Sequence, residues 1–337
     1  MNQLLVVGAG ATIEDCRRSG NHPDDPDWEF PIVANFCSKL FDQTSTVLTK
    51  ATASYLSGLG ISYEINLLNL KVGDSFSSED IRRGPIGVFL QLEAQAPGEH
   101  NIERLTEHIW QTIGADQAFW SAFIHDGIYL SLFARFSEQF GLGTGRPMVA
   151  GRRVASSVAP EDVVINLNYD VAFDLALKQA GRAICYAPET RPGTVMVLKP
   201  HGSFNLYVNV SNGNCFFEEP DRIVGSVGIP DPDGGVFFPQ EGIVPPRLHK
   251  SYRQHPSAEI ILATGRPFSP KTVTFWGVGL TDSDLDLLAV YREATAGAKR
   301  VEFVNPSAAA FRNAEQLLGV RIEQFESLDS WFDKRGF

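Results

Sequence analysis

The sequence predicts an α/β fold, a Rossmann-like doubly wound and mostly parallel sheet with an inserted helical subdomain. Three observations predict it. Short β-branched or apolar runs recur at residues 4–7, 163–166, 195–198, 273–276 and 301–304, each bounded by turn residues, and those of the last third alternate with helical periodicity. Several runs stop abruptly in small or polar residues, as strands do at the carboxyl edge of an open α/β sheet. Between the first and second runs lies a long stretch whose apolar spacing is helical throughout. The sheet domain is therefore placed at 1–31 and 146–337, and the helical insertion at 32–145.

Composition narrows the function classes. The 337 residues are 43% hydrophobic and 20% charged, the balance of a globular protein, and no apolar run is long enough to span a bilayer. Residues 4–7 have no basic residues before them and read as a first strand, not as a secretory signal, so the expected compartment is the cytoplasm. A net charge of -11 argues against a surface built to neutralise a phosphate backbone, and no direct nucleic-acid partner is expected. Cys16, Cys37, Cys185 and Cys215 stand singly, and His100, His108 and His125 lack acids at helical spacing. No metal is expected.

Each element has its own signal. Residues 4–7 run into Gly8-Ala9-Gly10-Ala11-Thr12, where small residues allow close approach of a phosphate, but Ile13 stands where a dinucleotide fingerprint needs its third glycine. A tight strand-to-loop turn is the plainer reading. Residues 20–31, rich in Pro, Asp and Asn, read as a long loop of the kind that covers sites. Three amphipathic stripes follow, on Phe36, Leu40 and Phe41, on Val47, Ala51, Tyr55 and Leu56, and on Ile102, Leu105, Ile109 and Ile113. The aromatic run from Trp110 through Phe140 packs a bundle core or offers a self-assembly surface. Residues 141–153, with four glycines and a proline, read as a flexible return to the sheet.

The central signal is residues 163–170, Val-Val-Ile-Asn-Leu-Asn-Tyr-Asp, a buried strand that turns polar at its end. A helix at 171–180 follows and stops at Gly181. Asn168 and Asp170 thus sit at a strand end beside a helix N-terminus, either as plain helix caps or as residues facing a ligand crevice. The strand at 195–198 ends in Lys199-Pro200-His201-Gly202-Ser203, a second polar corner. Residues 204–210 and 215–218 flank Ser-Asn-Gly-Asn, a hairpin signal. A helix is expected at 256–264. The strand at 273–276 exits through Gly277-Val278-Gly279 into a helix at 282–294. The strand at 301–304 ends at Asn305-Pro306, and Ser307 caps a helix running to Leu318 and stopping at Gly319.

Taken in order, Gly8-Ala9-Gly10, Asn168-Tyr169-Asp170, His201-Gly202-Ser203, Gly277-Val278-Gly279 and Asn305 resemble the motifs of the sirtuin family. Among sirtuins the set is most similar to the bacterial sirtuin-like NAD hydrolases of anti-phage defence, whose corner reads Asn-Tyr-Asp and whose first loop is followed by a helical insertion. The sequence departs from the family pattern in four places, the first two of which tell against a deacylase. Leu167 replaces the Gln that precedes the corner Asn in deacylases, no four-cysteine zinc module exists, Thr12 stands where the family often has Ser, and Gly279 replaces the usual Ser.

The resemblance implies NAD as substrate and a glycohydrolase activity releasing nicotinamide and ADP-ribose, in an abortive-infection effector. It assigns the pyrophosphate to the backbone amides of Gly8, Ala9, Gly10 and Ala11, the nicotinamide carboxamide to Asp170, the adenosine ribose to Asn305, and further cofactor contacts to Thr12, Gly202, Ser203, Gly277 and Gly279. Asn168 would orient a ribose hydroxyl or the attacking water, and His201 would accept a proton. It further implies a homo-oligomer and a separate activating protein, such as a nucleic-acid-handling ATPase or an Argonaute-type protein. Other readings are a sirtuin-type deacylase, an ADP-ribosyltransferase, or a non-catalytic NAD or ADP-ribose sensor.

Overall fold

The strands in chain order are β1 (Gln3–Val7), β2 (Val163–Asn166), β3 (Ile184–Tyr186), β4 (Val195–Leu198), β5 (Leu206–Val208), β6 (Cys215–Phe217), β7 (Ile229–Pro230), β8 (Val236–Phe237), β9 (Thr272–Trp276), β10 (Arg300–Val304) and β11 (Glu323–Phe325). Seven of them form one parallel sheet in the order β11-β10-β9-β1-β2-β4-β3. The fold is a Rossmann-like α/β sheet. These features come from a computed structural model that describes residues 2–18, 46–63, 83–95, 101–113, 116–140, 147–223, 225, 227–248, 250, 252–264 and 268–336.

β1 is central and wholly buried, which is why it reads as an unbroken apolar run and not as an alternation. Val7 pairs with Asn166 of β2 on one side and with Trp276 of β9 on the other. From β1 the chain passes to β2 and on to the edge strand β3, fills the gap between them with β4, then returns to β9 on the other side of β1 and builds the opposite way. The order reverses between β1 and β9. Open α/β sheets bind ligands at such a reversal, beyond the carboxyl ends of the strands.

The helices are α1 (Ala9–Arg18), α2 (Thr46–Gly58), α3 (Pro85–Gln95), α4 (Asn101–Ile113), α5 (Gln117–Phe123), a π-helical turn at Ile124–Tyr129, α6 (Leu130–Phe140), α7 (Val149–Ser156), α8 (Ala172–Gln179), α9 (Pro256–Thr264), α10 (Leu285–Ala296), α11 (Ala308–Leu318) and α12 (Leu328–Arg335). Ser307 caps α11 through its side chain to Ala310 N, and Gly319 closes it at φ 67°. The β5–β6 pair is an antiparallel hairpin, with Leu206 opposite Phe217.

The chain divides into two compact units. One comprises Met1–Phe30, Phe136–Val244 and Lys250–Phe337 and contains the parallel sheet; the other comprises Pro31–Arg135 and Pro245–His249. In the second, Ala51, Leu56, Ile102, Leu105 and Ile109 are buried as their spacing requires. The stripe on Phe36, Leu40 and Phe41, like the loop at 20–31, lies outside the described residues.

The structure corrects three expectations. A helix, α1, follows Gly8 at once where the plainer reading had a loop. Gly151 and Arg153 belong to α7, although the stretch reads as a flexible return: the Asp15 carboxylate accepts the α7 amides of Ala150 at 2.7 Å and Gly151 at 2.8 Å, a cap supplied from far along the chain. Local sequence cannot display such a cap. The helix expected at 282–294 begins at Leu285 because Asp284 is its N-cap. In the helical region Trp120, Phe123, Tyr129, Phe136 and Phe140 are buried, with Trp120 stacked 5.9 Å from Phe123, while Trp110, Phe119 and Phe133 are half-buried.

Candidate active site at the carboxyl edge of the sheet

Where β1 ends, Gly8 N–H donates to Trp276 O at 3.0 Å, continuing the β1–β9 ladder for one more residue. Gly10 N–H then donates to Gly277 O at 3.0 Å, and Ala11 N–H to Gly8 O at 2.9 Å. Three of the four amides assigned to a pyrophosphate are therefore held by protein oxygens in this conformation. Gly277 adopts φ 63°, a left-handed backbone that suits glycine, and its own N–H reaches Val304 O at 3.0 Å. The strand ends on both sides of the reversal are laced together.

On the β2 side, Asn168 Nδ2 donates to Gly8 O at 3.1 Å and to Thr12 Oγ1 at 3.0 Å. Thr12 Oγ1 in turn donates to Asp170 Oδ2 at 3.0 Å, and Asp170 Oδ1 accepts the N–H of Ala172, the first residue of α8, at 2.9 Å. Burial pushes the Asp170 carboxyl above the usual range, opposed by the Lys199 charge and by its bonds from Ala172 and Thr12. Lys199 is itself fully buried, with Nζ 2.5 Å from Asp170 O and 3.3 Å from Asp174 Oδ2. The corner is rigid because every turn of it is tied to another element.

At the end of β4, His201 Nδ1 lies 3.1 Å from Leu167 O, the carbonyl directly before Asn168, and Nε2 lies 2.8 Å from Asp284 Oδ2. A carbonyl only accepts, so Nδ1 carries a hydrogen. The same Oδ2 takes Tyr252 Oη–H at 3.0 Å, and Lys250 Nζ stands 3.8 Å away. At 2.8 Å, Nε2 and Oδ2 are close enough for the protonation of one group to govern that of the other. Burial, then the Lys250 charge, pushes the His201 imidazolium down, while Asp284 opposes them. Asp284 stays below the usual carboxylate range: burial would raise it, but His201, Lys250 and Tyr252 outweigh burial. Tyr252 stacks on the imidazole with ring centroids 6.3 Å apart, fixing its plane.

The cavity beside this pair has a volume of about 60 Å³ and is lined by Leu167, His201, Gly279, Leu280, Thr281, Asp284, Leu287, Leu288 and Tyr291. It is far smaller than the roughly 300–1,000 Å³ of pockets that enclose whole ligands. No protein-family model matches the chain. No curated protein matches it either. Solved structures are similar only at low identity. A mutant Sir2 homologue in complex with 2'-O-acetyl ADP ribose aligns at 12% identity over 99% of this chain and 89% of that one, with a TM-score of 0.35. A Sir2 homologue–NAD complex aligns at 16% identity over 59% and 73%, with a TM-score of 0.32. A Sir2–p53 peptide–NAD complex aligns at 15% identity over 67% and 81%, with a TM-score of 0.33. Likeness at this level carries no weight for ligand or activity.

The remaining assigned residues fall at the same edge. Gly202 has φ 84°, and Ser203 Oγ donates to Tyr169 O at 3.2 Å. Asn305 Nδ2 donates to Val278 O at 3.0 Å while its Oδ1 accepts Ser307 N–H at 2.9 Å. Asn305 thus fastens the end of β10 to the 277–279 exit, and both ends of its amide are engaged. Gly279 borders the cavity.

Sequence reasoning did not single out Tyr252, Lys250 or Tyr291, and it met Asp284 only through a family phrase. Asp284 had one legible sign, its position four residues before Leu288 and seven before Tyr291, which places all three on one helical face. Among the described residues no group of three or more His, Cys, Asp or Glu is placed to hold a metal ion, and no helix is long and apolar enough to cross a membrane.

Proposed function

We propose that the chain is an NAD glycohydrolase that cleaves the nicotinamide–ribose bond to give nicotinamide and ADP-ribose. The observation that carries this reading is the contact of His201 with the carbonyl preceding Asn168, which joins the two chemistry-bearing strand ends. Such cleavage passes through an oxocarbenium-like state with a good leaving group, so positioning and charge are what a protein must supply. Asn168 orients a ribose hydroxyl or the attacking water. The proton acceptor is the His201–Asp284 pair and not the imidazole alone, because both ring nitrogens are already engaged.

The amides at Gly8, Gly10 and Ala11 and the small cavity do not accommodate NAD as they stand; the reading takes this conformation as the resting one. NAD enters when the contact between residues 8–11 and 277–279 opens. A resting state suits an enzyme whose product formation drains a cofactor the cell needs. We assign the trigger to a separate protein, a nucleic-acid-handling ATPase or an Argonaute-type protein, acting on a homo-oligomer in cytoplasmic anti-phage defence.

Incubation with NAD separates the classes. Nicotinamide and ADP-ribose released without a protein acceptor support hydrolysis. Turnover only with an acylated or acceptor protein means a deacylase or ADP-ribosyltransferase, and binding without product means a sensor.

A further inference from the structure

Beneath the 168–170 corner lies a polar set that the proposed chemistry does not use. Lys199 follows β4, Asp174 lies on α8 and Asn166 ends β2, and all three are fully buried. Asp174 Oδ2 is their hub: it accepts Asn166 Nδ2–H at 2.7 Å and Lys199 Nζ–H at 3.3 Å. Lys199 Nζ also donates to Asp170 O at 2.5 Å. Burying an ammonium beside a carboxylate carries a desolvation cost that their attraction often fails to outweigh, and well-packed apolar residues commonly hold a fold as firmly. Stability alone does not explain the set.

What the set does is hold main chain. Asn166 Oδ1 accepts the N–H of Asn168 at 3.1 Å, so the side chain tied to Asp174 also orients the backbone of the corner. Lys199 fixes the carbonyl of Asp170, and its own carbonyl accepts the N–H of Gly202 at 3.0 Å, closing the turn that carries His201. One residue is thus bonded through its side chain to the 168–170 corner and through its main chain to the 199–202 turn. These two strand ends meet where His201 Nδ1 lies 3.1 Å from Leu167 O. An ammonium has three N–H groups and serves a carbonyl and a carboxylate at once, which an apolar side chain of similar length does not. With no exposed surface, Lys199 acts only through these neighbours.

We propose that Lys199 is a positioning residue: through Asp174, Asn166 and the Asp170 carbonyl on one side, and the 199–202 turn on the other, it sets the separation of Asn168 from His201. The inference rests on the glycohydrolase reading and deepens it. Asn168 orients the ribose hydroxyl or the water, His201 with Asp284 receives the proton, and Lys199 keeps the two in register without touching substrate.

The test uses the full chain carrying Lys199→Met together with Asp174→Asn. Lys199→Met alone strands a buried carboxylate without its cation and endangers folding, whereas the amide at 174 removes the charge and keeps an oxygen for Asn166. Crystal structures without substrate should show His201 Nδ1 and Leu167 O within hydrogen-bond distance in the wild type and beyond it in the double variant. An unmoved contact overturns the proposal. With NAD, the folded double variant should release nicotinamide with kcat about a hundredfold below wild type and KM changed by less than about threefold, the split expected when alignment is lost and ground-state binding is not. A merely structural Lys199 would lower the denaturation midpoint and leave kcat of the folded fraction unchanged, and that result also overturns the proposal. If the wild type releases no nicotinamide from NAD, the hydrolase reading falls by itself, while diffraction still decides whether Lys199 sets the contact.

Discussion

Gly8 and Gly277 approach so closely that a Cβ on Gly8 would stand 2.6 Å from the Gly277 carbonyl oxygen. The reverse holds too, since a Cβ on Gly277 would lie 2.3 Å from Ala11 N. Both obstacles are backbone, which cannot rotate aside. Gly8→Ala should therefore destabilise the protein by about 1–3 kcal/mol through overpacking. Gly277→Ala should cost about 1 kcal/mol more, because φ 63° disfavours any side chain. Urea titration of the two variants checks the order. A Gly277→Ala protein as stable as wild type would show that the two loops do not meet in solution.

Asn168→Ala and His201→Ala should each lower NAD cleavage by at least about a hundredfold, the scale of losing a positioned acid–base group. Asn168 also bridges Gly8 O and Thr12 Oγ1, so its removal should cost about 1 kcal/mol per lost bond without unfolding the chain. Turnover close to the parent rate in either folded variant removes that residue from the mechanism.

Asp15 gives a stability prediction with a definite sign. Burial pushes its carboxyl up to about 7 from an ordinary 3.8, despite the bonds from Gly151 and Ala150. Between those values the folded state binds more protons than the unfolded one, so this group makes stability fall as pH rises from about 4 to about 7, by a few kcal/mol in order of magnitude. Above pH 7 its contribution is flat. Denaturation midpoints of Asp15→Asn should lose this fall, and a wild-type-like slope in that variant would reject the assignment.

Purified protein should contain no stoichiometric zinc. Among the described residues Cys16, Cys185 and Cys215 form no disulfide and lie on separate elements, and a closed tetrahedral site needs four convergent ligands. Elemental analysis giving one zinc per chain would reopen the deacylase reading.

The sequence displays the parallel sheet well because β1, β2, β4, β9 and β10 are short apolar runs closed by turn residues, a local pattern with a local cause. It displays the polar strand ends for the same reason. What it hides is pairing at a distance. Asp15 and Gly151 are 136 residues apart, and His201 and Asp284 are 83 apart. Neither partner alters the local spacing of the other, so α7 reads as a loop and His201 as a lone base. The glycines answer to two demands: Gly8 and Gly10 suit a phosphate, and their small size also serves the contact with Gly277.

That contact sets a toll on any ligand that needs the amides of residues 8–11. The Gly277 carbonyl is tethered to the same chain as the Gly10 amide it occupies, so a competing phosphate faces an acceptor that never diffuses away. Any ligand requiring those amides captures only the fraction of molecules in which the loops have parted, and its apparent Kd is its intrinsic Kd divided by that fraction. A loop pair open one time in a hundred weakens binding a hundredfold, about 2.8 kcal/mol, with no change in a single ligand contact. Whatever bends the 277–279 exit away from the first loop would then raise the apparent affinity for such a ligand in proportion to the open fraction, from a distance and without entering the pocket.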